Sequence, residues 1–283
     1  MKTGCIIQAR MTSSRLPGKV LLPLPQGGPS TVLELVVERV AKAHSIDETI
    51  IATTANSTDD PLVQWCEQKG IAVFRGSEEH VLSRYALCAR EHGLSRVVRV
   101  TSDCPCIDWQ ILDELVALHE TAGNHYTSNT LYRSFPHGVD AEVVDADVLQ
   151  EAYEQATEKY ETEHVTPYVY KSHSDKFRIG RLEADAVRKG PQIRITLDTP
   201  EDYLLLRAVF DLLGDPLAFT TANIVQLFTQ KSWLLELNGR VQQKVVCKDL
   251  EEELAEAFRL LKTQDLDRAA EFLREHARQE PVP

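Results

Sequence analysis

Ile6-Ile7-Gln8-Ala9-Arg10-Met11-Thr12-Ser13-Ser14-Arg15-Leu16-Pro17-Gly18-Lys19 decides the reading of this chain: an apolar run near the N-terminus leads straight into a loop holding three cations. Ile6 and Ile7 fit a short buried parallel strand. In open α/β sheets ligands bind where loops leave the carboxyl ends of such strands. Arg10, Arg15 and Lys19 supply positive charge, while Ser13, Ser14, Gly18 and backbone N–H groups supply neutral donors, so a polyanion is the expected occupant. Solvated cations in a Pro-Gly loop are the plainer alternative. Val20 follows Lys19 where a P-loop carries Ser or Thr, which disfavours P-loop hydrolysis.

Strand-like and helix-like segments alternate from this loop through the first 120 or so residues, the signature of βαβ units and a mainly parallel sheet. Thr31 with Glu34 reads as a capping box, and Leu33, Val36, Val37 and Val40 as one apolar helical stripe. Ile50-Ile51-Ala52 follows as a strand. Asp60-Pro61 opens a helix that Gly70 closes, and Ile71-Ala72-Val73-Phe74 is the next strand. Ser77 is expected to cap a further helix ending at Gly93. Val97-Val98-Arg99-Val100 is expected as a fourth strand, delivering Ser102-Asp103-Cys104-Pro105 to the rim of the opening loop. Beyond residue 124 the pattern is less regular, with short strands near His125–Ser128 and Ala141–Val144, two helices, and β-like Phe177–Leu182 and Ile193–Leu197. Asp198 is expected to start a helix with Leu204, Leu205, Ala208, Val209 and Leu212 on its buried side, and residues 249 to 278 read as two acidic amphipathic helices. The organisation expected is a domain of residues 1–240, with a nucleotide half of about 1–123 and a substrate-side half of about 124–240, followed by an acidic helical extension of 241–283.

The chain has 283 residues with 43% hydrophobic and 26% charged content. Those are values of an ordinary globular protein, and no apolar run approaches the ~18 residues needed to span a bilayer. Membrane insertion is therefore not expected, and the N-terminus does not resemble a secretory signal, so a cytoplasmic location is. A net charge of −12 argues against coating nucleic acid and makes the cationic loop a local site on an acidic body. Cysteines at positions 5, 66, 88, 104, 106 and 247 lack the spacing of a zinc knuckle and read as packed thiols.

Asp103 and Asp198 each follow an apolar strand-like run and lie just before a proline, which places each carboxylate on a turn at a strand end. They could share a hard cation such as Mg²⁺, which is held by one or two carboxylates with substrate phosphates and water. Equally, Asp103 reads as a turn residue and Asp198 as a helix N-cap.

The segments Gln8 to Lys19, Phe74-Arg75-Gly76-Ser77, Thr101-Ser102-Asp103-Cys104-Pro105, Glu163-His164-Val165-Thr166-Pro167-Tyr168 and Leu197-Asp198-Thr199-Pro200-Glu201-Asp202 occur in the order seen in spore-coat polysaccharide biosynthesis protein F. Over residues 3 to 240 the chain resembles that family, which stands among the cytidylyltransferases that activate acidic sugars, alongside the CMP-Kdo, CMP-sialate and CMP-pseudaminate synthetases. The resemblance implies an α/β Rossmann-like nucleotidyltransferase fold of GT-A-like form, with a mainly parallel mixed sheet flanked by helices and a C-terminal helical extension. It implies CTP as donor, an acidic sugar as acceptor, Mg²⁺ as cofactor, and a CMP-sugar plus pyrophosphate as products. Arg10, Arg15 and Lys19 take the catalytic role, and Gln8, Ala9, Arg10, Ser13, Ser14, Arg15, Gly18, Lys19, Thr53, Arg75 and Ser77 the nucleotide. Asp103 and Asp198 match the metal-binding aspartates. His137, Asp140, Glu142, Glu163, His164 and Arg194 are the substrate-facing candidates, with Arg194 a partner for a carboxylate. Ser102 stands where the family usually has glycine and Cys106 where an aliphatic residue is usual. A homodimer is left open.

Two rival readings fit the same residues. A metal-dependent glycosyltransferase of related fold would carry Asp-x-Asp at a strand end; Asp145-Ala146-Asp147 has the spelling but reads as the start of a helix. A non-catalytic sugar-nucleotide-binding subunit would not need both aspartates.

Overall fold

Thr3–Gln8 forms β1, buried along its length, and it pairs in parallel with two strands distant in sequence. One neighbour is β2 (Glu48–Thr54), itself parallel to β3 (Ala72–Gly76); the other is β4 (Arg96–Thr101). Beyond β4 lies β6 (Glu142–Asp145), antiparallel to it, then β5 (Tyr126–Ser128) and β7 (Ile179–Arg181). The order is β3-β2-β1-β4-β6-β5-β7, so only β6 runs against the other strands. The chain departs from β1 in opposite senses toward β2 and β4, and the crevice at such a reversal lies at the carboxyl ends of the strands. The computed structural model from which this is taken describes residues 1–242, 247 and 249–276.

Local chemistry explains the helices. Thr31 and Glu34 form the expected capping box for α1 (Val32–Val40), and Pro61 sits in the first turn of α2 (Asp60–Lys69), closed by left-handed Gly70. The helix α3 (Val81–Glu91) departs from expectation: its N-cap is His80, whose ring accepts from Ser83 N–H, while Ser77 Oγ accepts from His80 N–H one turn earlier. Asp108 caps α4 (Trp109–Ala122), and α5 (Ala146–Gln155) follows β6 directly. After α6 (Lys159–His164), Val165 adopts φ +78, a left-handed conformation unusual for a β-branched residue.

The helix α7 (Pro200–Leu213) is capped by Thr199 and not by Asp198, with Asp202 completing the box. Burying Asp202 turns Leu205, Leu206, Val209 and Phe210 inward, because positions three and four apart share a helical face; Leu204 and Leu212 are exposed, against expectation. The helix α8 (Thr221–Gln230) follows. Ile193–Leu197 does not join the sheet as a strand. It makes a single parallel bridge through His137 and Arg194.

Two apolar layers cover the sheet. Ile7, Ile51, Val98 and Val143 face one, with helices α1, α4, α7 and α8; Ile6, Ile50, Ala52, Val97 and Val144 face the other, with α3 and α5. In the first layer the fully buried guanidinium of Arg39 donates from Nε to Ile107 O (2.7 Å), from Nη1 to Pro216 O (2.7 Å) and from Nη2 to Phe219 O (2.8 Å). It lies against the Trp109 and Phe219 rings. Cys5, Cys66, Cys88, Cys104 and Cys106 are buried thiols, as expected of packed cysteines.

Residues 1–156 and 161–241 form one compact unit; 157–160 with the described residues from 242 onward form a second. Within the second, Asp249 caps α9 (Leu250–Thr263), and Arg274 of α10 (Asp267–His276) lies over the Phe258 ring. The end of the expected acidic extension, residues 277–283, lies outside the described residues, as do 243–246 and 248. No described helix is long and apolar enough to cross a membrane.

Candidate active site

The cationic loop is fixed at both ends and projects from the carboxyl end of β1. Asp59, fully buried, accepts from Met11 N–H (2.7 Å) while also binding Thr54, and Gly18 N–H donates to Met11 O (2.9 Å). Gly18 is left-handed at φ +70, a conformation glycine adopts without strain, and it turns the chain into a short 3₁₀ segment that begins with Lys19. The loop is thus closed on itself before its side chains engage anything.

Lys19 is the hub. Its ammonium donates to Asp103 Oδ2 (2.8 Å), Asp198 Oδ1 (2.9 Å) and Leu197 O (2.5 Å), and only 8% of the residue is exposed. Asp103 comes from the turn after β4, where Thr101 Oγ1 donates to its Oδ1 at 2.6 Å. Asp198 is brought beside it by the backbone: Leu197 N–H donates to Asp103 O (2.8 Å), and His137 exchanges hydrogen bonds with Ile193 O and Ile195 N–H. Gly138 at φ +116 makes this close passage possible, since a Cβ there would stand 2.6 Å from the Ile195 carbonyl carbon.

Asp198 Oδ2 also receives Arg15 (2.9 Å) and Arg194 (2.8 Å). Arg194 is held in turn by Asp202, through Nε to Oδ1 and Nη2 to Oδ2, both at 3.0 Å; Asn238 donates to the same Asp202 Oδ1 at 2.8 Å. Burial acts to raise the Asp198 carboxyl, but Lys19, Arg194 and Arg15 outweigh it and hold it at about 2. Asp103 is likewise lowered, with Lys19 overcoming burial, and Lys19 is raised because the two aspartates overcome its burial. All three are charged at neutral pH.

Other candidates fall elsewhere. Arg10 is exposed, 3.5 Å from Glu78, and Ser13 and Ser14 lie along the loop without a role in the Lys19 hub. Ala9 is buried, its N–H donating to Ala52 O. Gln8 turns inward, its Oε1 accepting from Tyr85 and Arg99. Thr53 is buried, and its hydroxyl has no hydrogen-bond partner among the described residues. Arg75 spends its guanidinium on Thr54 O, Asn56 O and Asp60, and Ser77 serves the turn before α3. Asp140 pairs with Arg133, and His137 lies 3.7 Å from Asp140 with burial keeping its ring neutral. Glu163 is exposed; His164 is also kept neutral by burial.

Glu142 is buried, and its carboxylate accepts from Arg99, Tyr126 (2.6 Å) and Thr166 (2.9 Å), so it orients these neighbours. Arg99, on β4, was not singled out from sequence, because it sits inside what reads as an apolar strand. Arg84 was missed too. It is 4% exposed beside Gly76, its Nε and Nη1 are buried, and no hydrogen-bond partner is found for either among the described residues. Its position in the apolar face of α3 gave no signal of function. Asp145 closes β6 opposite Arg96, the first residue of β4, and accepts from or pairs with His119; Asp145-Ala146-Asp147 is therefore at the far end of β4 from Asp103. An Asp-x-Asp metal site at this rim is not what the chain provides.

The family model described as cytidylyltransferase matches residues 4–238. The chain is 37% identical over 230 residues to the spore coat polysaccharide biosynthesis protein SpsF of Bacillus subtilis, covering 80% of this chain and 93% of that protein. It is 34% identical over 121 residues to a 3-deoxy-manno-octulosonate cytidylyltransferase of Aeromonas salmonicida, covering 40% of this chain and 45% of that one. Among solved structures, a cytidylyltransferase from Leptospira borgpetersenii superposes with a TM-score of 0.77 at 30% identity, covering 87% of this chain and 99% of the other.

Proposed function

The chain belongs to the cytidylyltransferase family, and from that premise we propose that it transfers CMP from CTP to an acidic sugar, releasing pyrophosphate, for surface polysaccharide or glycoconjugate synthesis. The observation that carries this reading is the convergence of Arg15, Lys19 and Arg194 on Asp103 and Asp198 at the carboxyl rim of β1 and β4.

Two carboxylates are the hard oxygen donors that suit Mg²⁺, and Lys19 Nζ already sits within hydrogen-bonding distance of both. The Cys104 thiol beside Asp103 is pushed far up by burial, and its soft sulfur is a donor that a hard ion such as Mg²⁺ does not favour. Among the described residues no third His, Cys, Asp or Glu joins them, leaving the remaining positions for phosphate oxygens and water. Asp103 and Asp198 would hold the ion. Bound there, it would neutralise phosphate charge and favour ionisation of an attacking hydroxyl.

The residues of the chain do the rest. Arg10, Arg15 and Lys19 receive the triphosphate, with Lys19 and Arg15 exchanging carboxylate for phosphate oxygens. A sugar hydroxyl attacks the α-phosphorus in line; the new O–P bond forms as the bond to the β-phosphate oxygen breaks, and pyrophosphate leaves on the Arg15 and Lys19 side. Arg84 Nε and Nη1, for which no hydrogen-bond partner is found among the described residues, offer donors to the nucleoside end. On the acceptor side Arg133, His137 and Asp140 form the polar cluster next to Arg194. An acidic sugar is the acceptor class that a likeness to a 3-deoxy-manno-octulosonate cytidylyltransferase supports.

The test is pyrophosphate release with each of the four nucleoside triphosphates, with Mg²⁺ and with Mn²⁺, against a panel of acidic and neutral sugars. CTP with an acidic sugar is expected to turn over, and Asp103→Asn and Asp198→Asn each to lower kcat by about 10²-fold or more. Full activity in both variants, or turnover of neutral sugars alone, overturns the proposal.

A further inference from the structure

We propose that Lys19 bars the Asp103/Asp198 site to a bare divalent cation, so that metal enters only together with a polyphosphate. The inference rests on the cytidylyl-transfer reading for the identity of that polyphosphate; the charge argument itself does not need it.

An ammonium has three N–H donors. Lys19 places them on Asp103 Oδ2, Asp198 Oδ1 and Leu197 O, so its donor capacity is used within the rim. The other oxygens are taken as well: Asp103 Oδ1 by Thr101, and Asp198 Oδ2 by Arg15 and Arg194. Lys19, Arg15 and Arg194 thereby balance Asp103, Asp198 and Asp202. A lone divalent ion would unbalance this group by two positive charges. It would also push the ammonium out of a socket of three acceptors with no anion to receive it, and a buried charge stripped of its partners is costly.

A metal–triphosphate complex meets a different situation. It carries acceptor oxygens for Lys19 and Arg15 as they leave the aspartates, so each charge changes partner without losing one. The exchange needs only side-chain rotation. The backbone under Lys19 is pinned by Gly18 N–H to Met11 O (2.9 Å), Leu21 N–H to Gly18 O (3.0 Å) and Leu22 N–H to Lys19 O (3.3 Å). Lys19 is thus a determinant of what form of metal the site accepts, in addition to its part in binding phosphate.

The experiment titrates Mn²⁺ alone, read by electron paramagnetic resonance, into the nucleotide-free full-length protein, its Lys19→Met and Lys19→Arg variants, and Asp103→Asn. Lys19→Met is expected to bind Mn²⁺ about tenfold or more tighter than wild type, a difference that thermal melts with and without Mn²⁺ should mirror, while Lys19→Arg behaves as wild type. Wild type that binds Mn²⁺ as tightly as Lys19→Met overturns the proposal. If Lys19→Met does not fold, the wild type decides: Mn²⁺ binding that Asp103→Asn abolishes refutes it, and binding equal to that of Asp103→Asn supports it. Failure of CTP to bind any of these proteins would sink the donor assignment and leave this nucleotide-free comparison unaffected.

Discussion

Replacing Asp202 by asparagine keeps the shape of the side chain and removes its charge, at a residue that is fully buried and accepts five hydrogen bonds. Arg194 supplies two of them, Asn238 one, and the backbone N–H groups of Asp198 and Thr199 the remaining two. Asparagine offers one acceptor oxygen and turns an NH₂ toward the arginine, so at least the bidentate pair is broken. Disrupting one partner of a buried ion pair costs about 3–5 kcal/mol, and the surviving contacts to the amide oxygen place the expectation at about 3 kcal/mol. For a domain of this size that corresponds to about 6–12 °C in Tm. The reading also assigns coupling: in a double-mutant cycle with Arg194→Met, about 1 kcal/mol or more of the two single losses should be shared. Urea unfolding of the four proteins measures both quantities. A loss below about 1 kcal/mol for Asp202→Asn, or strict additivity with Arg194→Met, would refute the view that Asp202 clamps the site.

Three further outcomes follow from the same geometry. Asp198, held at about 2 against an ordinary 3.8, contributes stability that is present above the unfolded value and is lost as pH falls from about 4 toward 2. Wild type should therefore lose about 2 kcal/mol more than Asp198→Asn between pH 5 and pH 2 in urea titrations, and parallel losses would count against it. Gly138→Ala puts a methyl against the Ile195 carbonyl at a positive φ and should destabilise by about 3 kcal/mol or more, with kcat falling because the segment carrying Asp198 shifts; a Tm within a degree or two of wild type contradicts this. Glu142→Gln leaves the buried end of Arg99 without its counter-charge and should cost about 3 kcal/mol by thermal unfolding, whereas Glu163→Gln, at an exposed position, should stay within about 0.5 kcal/mol.

The parallel half was legible in the sequence because its signals are local. Ile6-Ile7, Ile50-Ile51 and Val97–Val100 announce buried strands, and the cations and Asp103 sit on the loops that leave two of them. Asp198 was harder. Its partnership with Asp103 depends on Leu197 N–H reaching Asp103 O, a contact between residues far apart in sequence, and its reading as a cap failed because Thr199 and Asp202 form the stronger box. That substitution rotated the buried face of α7 by about one residue, which explains the misplaced Leu204 and Leu212. Arg99 and Arg84 gave no signal, because each lies inside an apolar segment, and that Arg99 and Glu142 meet across β4 and β6 depends on strand pairing between distant residues.

Arg39 sets a limit on how this chain can be divided. Its guanidinium, on α1, draws its acceptors from Ile107 before α4 and from Pro216 and Phe219 between α7 and α8, and among the described residues no carboxylate forms an ion pair with it. A fragment ending near residue 123 would retain the charge and the Ile107 carbonyl but lose the other two acceptors and the Phe219 ring, while baring the edge of β4 that β6 covers. Residues 1–123 and 124–240 are therefore successive in sequence yet, 157–160 apart, share one compact unit, and gene fission or limited proteolysis at their boundary should yield pieces that are structured only when recombined.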